Sequence, residues 1–494
     1  MPGAESLHEA CGVFGIYAPG EDVARLTFFG LYALQHRGQE SAGIATGDGV
    51  GLHVYRDMGL VNQVFTEERL EGLRGHIAVG HTRYSTTGSS RVENAQPIVV
   101  ESDVGGLAVA HNGNLVNTPD VLAELQDRGQ DLRGATTDSE LIALLAASSA
   151  GFTWPERIRA LVPLLQGAFS LVMATPTQLI ALRDSLGVRP LVLGRLGRGW
   201  VVASESCALD TIGAEIVRDV EPGEMIVIDA GGVHTEQVAA VGKRALCIFE
   251  FIYFARPDSV VEQREVYLAR ERMGRALARE HPADADVVIA VPDASVPAAI
   301  GYARESGIPF HEGLIKNRYI GRTFIQPDQR LRERGVQLKF NPLRHVLDGK
   351  RVVVVDDSIV RGTTTPRVIN MLRKAGAREV HLRISAPPMR HPCYLGVDTA
   401  RREDLIAAQI DDVADIGRAL GADSLGYLSL EGLQDAVGLA SERLCGACFT
   451  GDYPLSVNPD ADKHALELSA VGAPPSLIRF EPAAASRARA AVEQ

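Results

Sequence analysis

The chain has 494 residues, 46% of them hydrophobic, with 62 acidic against 50 basic side chains and a formal net charge of −12. That length exceeds what one hydrophobic core supports, so two or more domains are expected, and the acidic balance disfavours a nucleic-acid backbone as the main partner. No apolar run approaches the ~20 residues of a membrane helix, the first ten residues lack the regions of a secretory signal, and six cysteines in so long a chain do not make a disulfide scaffold. The expected location is the cytoplasm, with no membrane and no nucleic-acid partner.

In chain order, residues 1–10 read as a short removable segment ahead of a lone cysteine, Cys11, which heads the first apolar run, "CGVFGIY". From Cys11 to about Val241, β-type runs such as "GHIAVGHTRYS", "GGLAVAHNGNL", "FSLVMATPTQLIALRD", "PLVLGRLGRGWVVAS" and "GEMIVIDAGGVHTEQV" alternate with Gly, Asp and Asn turns at hairpin spacing. Two amphipathic helices are predicted among them, near "VARLTFFGLYALQHRG" and "TDSELIALLAASS". The pattern predicts layered antiparallel sheets with helices, an α+β arrangement. From about Leu246 it changes. "DVVIAVPDAS" and "KRVVVVDDSIV" are continuous apolar runs of the kind that form parallel strands buried on both faces, and each leads into a helical stretch, so this half reads as α/β. The final "APPSLIRFEPAAASRARAAVEQ" reads as a loosely held tail.

The strongest chemical signal is "RVVVVDDSIVRGTTT", residues 351–365. A buried strand ends in Asp356 and Asp357, and a loop with Gly362 and the hydroxyls of Ser358, Thr363, Thr364 and Thr365 opens a helix. Loop N–H groups and hydroxyls at a helix start suit a phosphate, while the two acids suit sugar hydroxyls or Mg²⁺. A strand end capped by Asp with a Thr N-cap would account for one acid and one hydroxyl only. Residues 316–344 hold eight basic residues (Lys316, Arg318, Arg322, Arg330, Arg332, Arg334, Lys339, Arg344) against two acidic ones (Asp328, Glu333), an excess that suits a polyanion or a solvated loop. Cys445 and Cys448 form C-x-x-C, with Cys247 and Cys393 far off in sequence; four thiolates suit zinc or an iron–sulfur cluster, and spacing does not decide between them. Cys207, without such a partner, reads as core.

Residues 351–365 resemble the phosphoribosyl-pyrophosphate (PRPP) motif of type I phosphoribosyltransferases. "CGVFGIY", "LQHRGQESAGI", "GHTRYSTTGSS", "HNGNLVN" and "TDSE" resemble, in order, the glutamine amidotransferases of the N-terminal-nucleophile class. From Cys11 to about Pro454 the combination resembles the amidophosphoribosyltransferase family, in its branch with a propeptide and a 4Fe-4S cluster. The resemblance implies an α+β N-terminal-nucleophile glutaminase at 11–241, after a propeptide at 1–10. An α/β type I phosphoribosyltransferase domain with a parallel sheet follows at 246–440, then a cluster-binding segment and tail at 441–494. It implies removal of the propeptide, so that Cys11 becomes the nucleophile and its own α-amine the base, a pairing that its chemistry supports.

By the same resemblance Arg83 holds the glutamine α-carboxylate, Asp138 the α-ammonium, and Asn112 with Gly113 the oxyanion. Taken alone, an Asn-Gly pair is a tight turn, and such a turn would also present an N–H. Asp356 and Asp357 contact ribose hydroxyls and Mg²⁺, Ser358, Arg361, Gly362, Thr363 and Thr364 cradle PRPP, and Ser295 is a further magnesium position or simply a cap. Cys247, Cys393, Cys445 and Cys448 hold the 4Fe-4S cluster, and part of 316–344 is a flap over PRPP. Purine nucleotides as feedback inhibitors and a homotetramer are implied by the family alone. A sugar-phosphate amidotransferase lacks "VVVVDDSIVRGTT" and is excluded. A non-catalytic PRPP-sensing regulator is the alternative, and it would need neither Cys11 nor a glutamine pocket.

Overall fold

Two antiparallel sheets form the first half of the computed structural model, which describes residues 11–84, 91–130, 136–317, 339–397, 399 and 401–458. The expected propeptide 1–10, the basic residues Arg318, Arg322, Arg330, Arg332 and Arg334, and the tail lie outside the described residues.

The first sheet has seven strands in the order Glu215–Asp219, Val192–Leu196, Gly199–Ala203, Gly12–Tyr17, Ile77–Arg83, Ser41–Gly47 and Leu52–Met58. The second has six, in the order Gly232–Gln237, Glu224–Asp229, Leu179–Arg183, Gly167–Ala174, Gly105–Leu115 and Ile98–Ser102. Alternate residues decide which face is buried. Val13, Val79, Val172, Ala181 and Ile226 from both sheets meet in a dry layer between them. The helix Val23–Ala33 covers the outer face of the first sheet over Phe14, Ile16 and Ile44. On the outer face of the second lie Thr118–Asp127, Asp138–Ser148 and Trp154–Leu161.

Of the two expected helices, the first stops at Ala33, before "QHRG", and its N-cap Asp22 accepts from the Arg25 N–H at 3.1 Å. The second, Asp138–Ser148, is buried around most of its circumference rather than amphipathic, because it lies between the sheet and two neighbouring helices. Those neighbours, Thr118–Asp127 and Trp154–Leu161, bury Val121 with Leu125 and Trp154, Ile158 with Leu161 against it, and neither is among the two expected helices.

In the second half a parallel sheet runs Val287–Ala290, Arg351–Asp356, Glu379–Ile384, Ser424–Tyr427. The runs "VVIA" and "RVVVVD" supply its first two strands and are buried on both faces, as their continuous β-branched character requires. Helices Val296–Ser306 and Thr365–Lys374 follow them as the sequence suggested.

The seam between the halves is electrostatic at its centre. Arg37, fully buried, reaches Glu205 with Nε and Glu250 with Nη2; Arg189 Nη1 lies 3.4 Å from Glu250 Oε1. Glu205 also accepts from Ser259 Oγ at 2.6 Å and from the Arg256 N–H at 2.9 Å. Burial drives the Glu205 carboxyl upward, but the charges of Arg37 and His36 and the hydrogen bonds from His36 and Ser259 together outweigh it and hold that carboxyl well below its ordinary range. Arg37 and Arg189 belong to the antiparallel half, and Glu250 begins the π-helical turn Glu250–Phe254 after the crossing. Removing one partner of a buried ion pair leaves the other charge uncompensated, at a cost of about 3–5 kcal/mol. Glu250→Ala is therefore expected to lower the unfolding free energy in urea by about that amount, with Glu250→Gln, which keeps shape without charge, losing less.

Candidate active site

Cys11 directly precedes the strand Gly12–Tyr17, whose partner Ile77–Arg83 runs antiparallel with Gly12 opposite Thr82. The register brings Arg83, at the end of its strand, beside the thiol. Cys11 Sγ donates to the Tyr84 carbonyl at 3.4 Å. Burial pushes the thiol above its ordinary pKa; the Tyr84 hydrogen bond and the Arg83 charge pull it back, and Glu40 and Asp138 push it up further. No imidazole is among these influences, and burial holds His81 neutral, down to about 3, with His111 also lowered. Arg83 is buried, 3.6 Å from Glu40 Oε1.

Asn112 and Gly113 do not form a turn. They lie inside the strand Gly105–Leu115, opposite Ser170 and Phe169, because a long partner strand, Gly167–Ala174, is there to pair with them. The N–H groups of His111 and Leu115 point away from that partner, to Gln96 Oε1 at 2.7 Å and Asp138 Oδ2 at 3.1 Å. The two-residue period of a strand aims the Gly113 N–H the same way. Asn112 Nδ2 is buried and has no hydrogen-bond partner among the described residues, an arrangement that a developing oxyanion would satisfy. Glycine is required at 113, since a Cβ there would collide with the Ala168 carbonyl. Asp138 is buried in the first turn of its helix, one residue after the N-cap Thr137, so "TDSE" is a helix start and also an acid facing the same strand.

At the carboxyl end of the parallel sheet, Asp356 and Asp357 are raised above the ordinary carboxylate range, by burial and, for Asp356, by the charge of Asp357. Ser295 occupies an N-cap position, yet its hydroxyl makes no cap. It donates to Asp356 Oδ1 at 3.1 Å. Asp356 also accepts the Asp357 N–H at 2.9 Å, and Ser358 Oγ donates to Asp357 at 2.7 Å. Arg270, buried on the helix Val266–Glu280, donates to the Phe251 and Ala255 carbonyls and lends its charge to Asp357; the sequence reading did not single it out. Residues 358–364 make the loop before Thr365–Lys374, with Gly362 at φ +68° in the left-handed region that favours glycine. Arg361 lies 3.5 Å from Asp404, and Thr363 and Thr364 complete the loop.

The four distant cysteines come together. Leu246–Cys247 pairs in parallel with Leu444–Cys445, placing Cys247 beside Cys445. The N–H groups of Arg390 and His391 bind the Cys448 carbonyl at 3.0 and 3.1 Å, which draws in Cys393. All are free thiols. Burial raises Cys448 well above its ordinary value, and the charges of Cys393, Cys445 and Cys247 add to the rise; Cys445 is pushed up to about 11. Among the described residues no three His, Cys, Asp or Glu side chains are arranged to hold one metal ion. Cys207 is buried apart from them, in the core beside the helix Val23–Ala33, as its lone position suggested.

The glutamine amidotransferase domain family matches residues 81–211 and the phosphoribosyl transferase domain family residues 260–402. An amidophosphoribosyltransferase of Synechocystis is 55% identical over 463 residues, covering 93% of each chain; that of Mycobacterium tuberculosis is 51% identical, covering 92% of this chain and 88% of its own. The chain belongs to the amidophosphoribosyltransferase family. A solved glutamine PRPP amidotransferase from Bacillus subtilis, complexed with ADP and GMP, superposes with a TM-score of 0.86 at 46% identity, covering 92% of this chain and 99% of that one. Members of the amidophosphoribosyltransferase family are enzymes, and their two-part organisation is that of the antiparallel and parallel halves described above.

Proposed function

We propose that this chain converts PRPP, glutamine and water into 5-phosphoribosylamine, glutamate and pyrophosphate, the first committed step of purine biosynthesis. The observation that carries the proposal is the pairing of two chemically distinct sites in one chain. One is a thiol in the field of Arg83 and Asp138, with the unpartnered Asn112 Nδ2 on the strand that Asp138 also faces; the other is a paired-acid strand end followed by a hydroxyl-rich loop. A sensor of PRPP would need only the second.

In the first site the Cys11 sulfur attacks the side-chain amide carbon of glutamine, with the α-amine freed by removal of residues 1–10 taking the thiol proton. Asn112 Nδ2 and the Gly113 N–H receive the charge that develops on the amide oxygen. The C–N bond breaks, ammonia leaves, and water hydrolyses the γ-glutamyl thioester to glutamate and regenerates the thiol. Arg83, a planar fork, suits the α-carboxylate and Asp138 the α-ammonium of the substrate.

In the second, ammonia attacks C1 of PRPP and the bond to pyrophosphate breaks, with inversion. Ammonia must arrive unprotonated to be nucleophilic, so an internal route between the sites that excludes water fits the chemistry. The loop Ser358, Arg361, Gly362, Thr363 and Thr364 suits the 5-phosphate. Asp356, Asp357 and Ser295 would hold Mg²⁺, which would supply neutralising charge to the departing pyrophosphate; two adjacent acids, both raised by burial, with the Asp357 charge raising Asp356 further, are a donor set suited to a cation.

Cys247, Cys393, Cys445 and Cys448 would hold a 4Fe-4S cluster that ties the C-terminal segment to both halves. Four free thiols brought together from Cys247, Cys393, Cys445 and Cys448 are a donor set suited to such a cluster. Purine nucleotides as inhibitors, a homotetramer and a cytoplasmic location complete the proposal. The nucleotides are supported by the ADP and GMP in the Bacillus subtilis structure, and no helix among the described residues is long and apolar enough to cross a membrane.

Nitrogen-source kinetics test the reading. Cys11→Ala is expected to abolish turnover with glutamine while keeping turnover with ammonium chloride at alkaline pH, and Asp357→Asn to lose both. Loss of both in Cys11→Ala, or neither, contradicts the assignment. For the cluster, protein purified without oxygen is expected to carry four irons and four acid-labile sulfides per chain. Cys445→Ser is expected to lose them, and stoichiometric zinc in their place would overturn that part.

A further inference from the structure

The strand that carries Asn112 and Gly113 is braced from the other half of the molecule. Asn114, 8% exposed, donates through Nδ2 to the Tyr394 carbonyl at 2.9 Å and to the Leu115 carbonyl at 3.1 Å. One residue past Leu395, Gly396 lies against the Gly113 carbonyl. A Cβ on Gly396 would stand 3.3 Å from the Gly113 carbonyl carbon and 2.8 Å from Arg189 Nη2, and its φ of +103° is one that side chains rarely adopt. On its other side Gly113 is pressed on the Ala168 carbonyl. Gly113 is thus held between the neighbouring strand and residues 394–396.

Those residues are themselves fixed. Arg189 Nη2 donates to the Leu395 carbonyl at 3.0 Å, while Nη1 of the same guanidinium faces Glu250 in the buried seam. The Tyr394 ring meets Tyr453 edge-on at 5.2 Å between centroids, and Tyr453 Oη donates to the Pro392 carbonyl at 2.6 Å. The Leu395 N–H donates to Cys393 Sγ at 3.4 Å.

An oxyanion donor works only when it is aimed, before the reaction, at the place where charge develops. Beyond Val109 the strand Gly105–Leu115 has no partner strand among the described residues on the edge that carries the Gly113 N–H, because Ile98–Ser102 pairs with it only from Gly105 to Val109. Past that point it is steadied by side-chain bonds and by segment 394–396.

We propose that Asn114 and Gly396 are positioning residues for the glutamine half-reaction: by holding the Asn112–Gly113 strand end on the segment Tyr394–Gly396, they aim the Gly113 N–H at the developing oxyanion. The inference rests on the oxyanion reading of Asn112 and Gly113. It makes the glutamine site depend on a contact supplied by the other half of the chain, although neither residue touches the substrate. Because the effect is confined to the transition state, it falls on kcat and leaves glutamine binding through Arg83 and Asp138 in place.

Steady-state kinetics on the full chain, with glutamine and separately with ammonium chloride as nitrogen source, test it. Asn114→Ala and the near-isosteric Asn114→Asp, which cannot donate to Tyr394, are expected to lower kcat with glutamine by about tenfold or more. The KM for glutamine should change by less than about twofold, and ammonium-supported turnover should persist, which also reports that the protein is folded. Gly396→Ala, which pushes a methyl group toward Gly113 from the opposite partner, is expected to show the same kcat-selective loss. Unchanged kcat in these variants, a rise in KM alone, or parallel loss with both nitrogen sources overturns the inference. Asn112→Ala separates it from the reading beneath it. If Asn112→Ala keeps full kcat with glutamine, the oxyanion assignment itself fails. If it loses kcat while the Asn114 and Gly396 variants do not, only the positioning role is overturned.

Discussion

Everything that this chain does depends on a buried meeting of charges. Arg37 and Arg189 come from the antiparallel half, Glu250 from the turn that opens the second half, and Glu205 closes the set, with exposures of 0–1%. Such a group contributes less net stability than an apolar core of the same volume, because desolvating four charges is costly. What it does supply is geometry. A guanidinium with five donors in a fixed fork accepts few alternative arrangements of its carboxylates, so the angle at which one half meets the other is specified by bonds rather than by general adhesion.

That seam explains why the two sites can share one chain. Gly113 lies against Gly396 of the second half, and the paired acids sit at the carboxyl end of the parallel sheet, where open α/β sheets bind ligands. Arg270 runs between these regions. It donates to the Phe251 and Ala255 carbonyls in the linking turn, and its charge acts on Asp357. The cysteine constellation lies on the same seam, since Cys247 immediately follows the crossing and Cys393 borders the residues that touch Gly113. Burial raises the Cys448 thiol well above its ordinary value, and the charges of Cys393, Cys445 and Cys247 add to that rise.

The sequence made some of this legible and not the rest, for physical reasons. Four consecutive valines before Asp356 can only be a strand buried on both faces, and the hydroxyl-rich loop after it has few other uses. The strands Glu379–Ile384 and Ser424–Tyr427 are short and interrupted by charge or glycine, so no periodicity announced them. "HNGN" suggested a turn, because local propensity favours one, yet an eight-residue partner strand overrode it. Ser295 suggested a cap, and its hydroxyl is instead committed to Asp356. Arg37 was visible within "LQHRGQES" but its partners are 168 and 213 residues away in sequence, and no spacing rule reaches that far. The Asn114–Tyr394 bond spans 280 residues and was hidden for the same reason.

The central claim is that the two sites act as one enzyme. The most direct measurement is simultaneous release of glutamate and pyrophosphate by protein purified without oxygen and supplied with glutamine, PRPP and Mg²⁺. The account predicts equal release of the two products throughout the time course. Glutamate release that proceeds unchanged when PRPP is omitted, or PRPP binding with neither product formed, would contradict it.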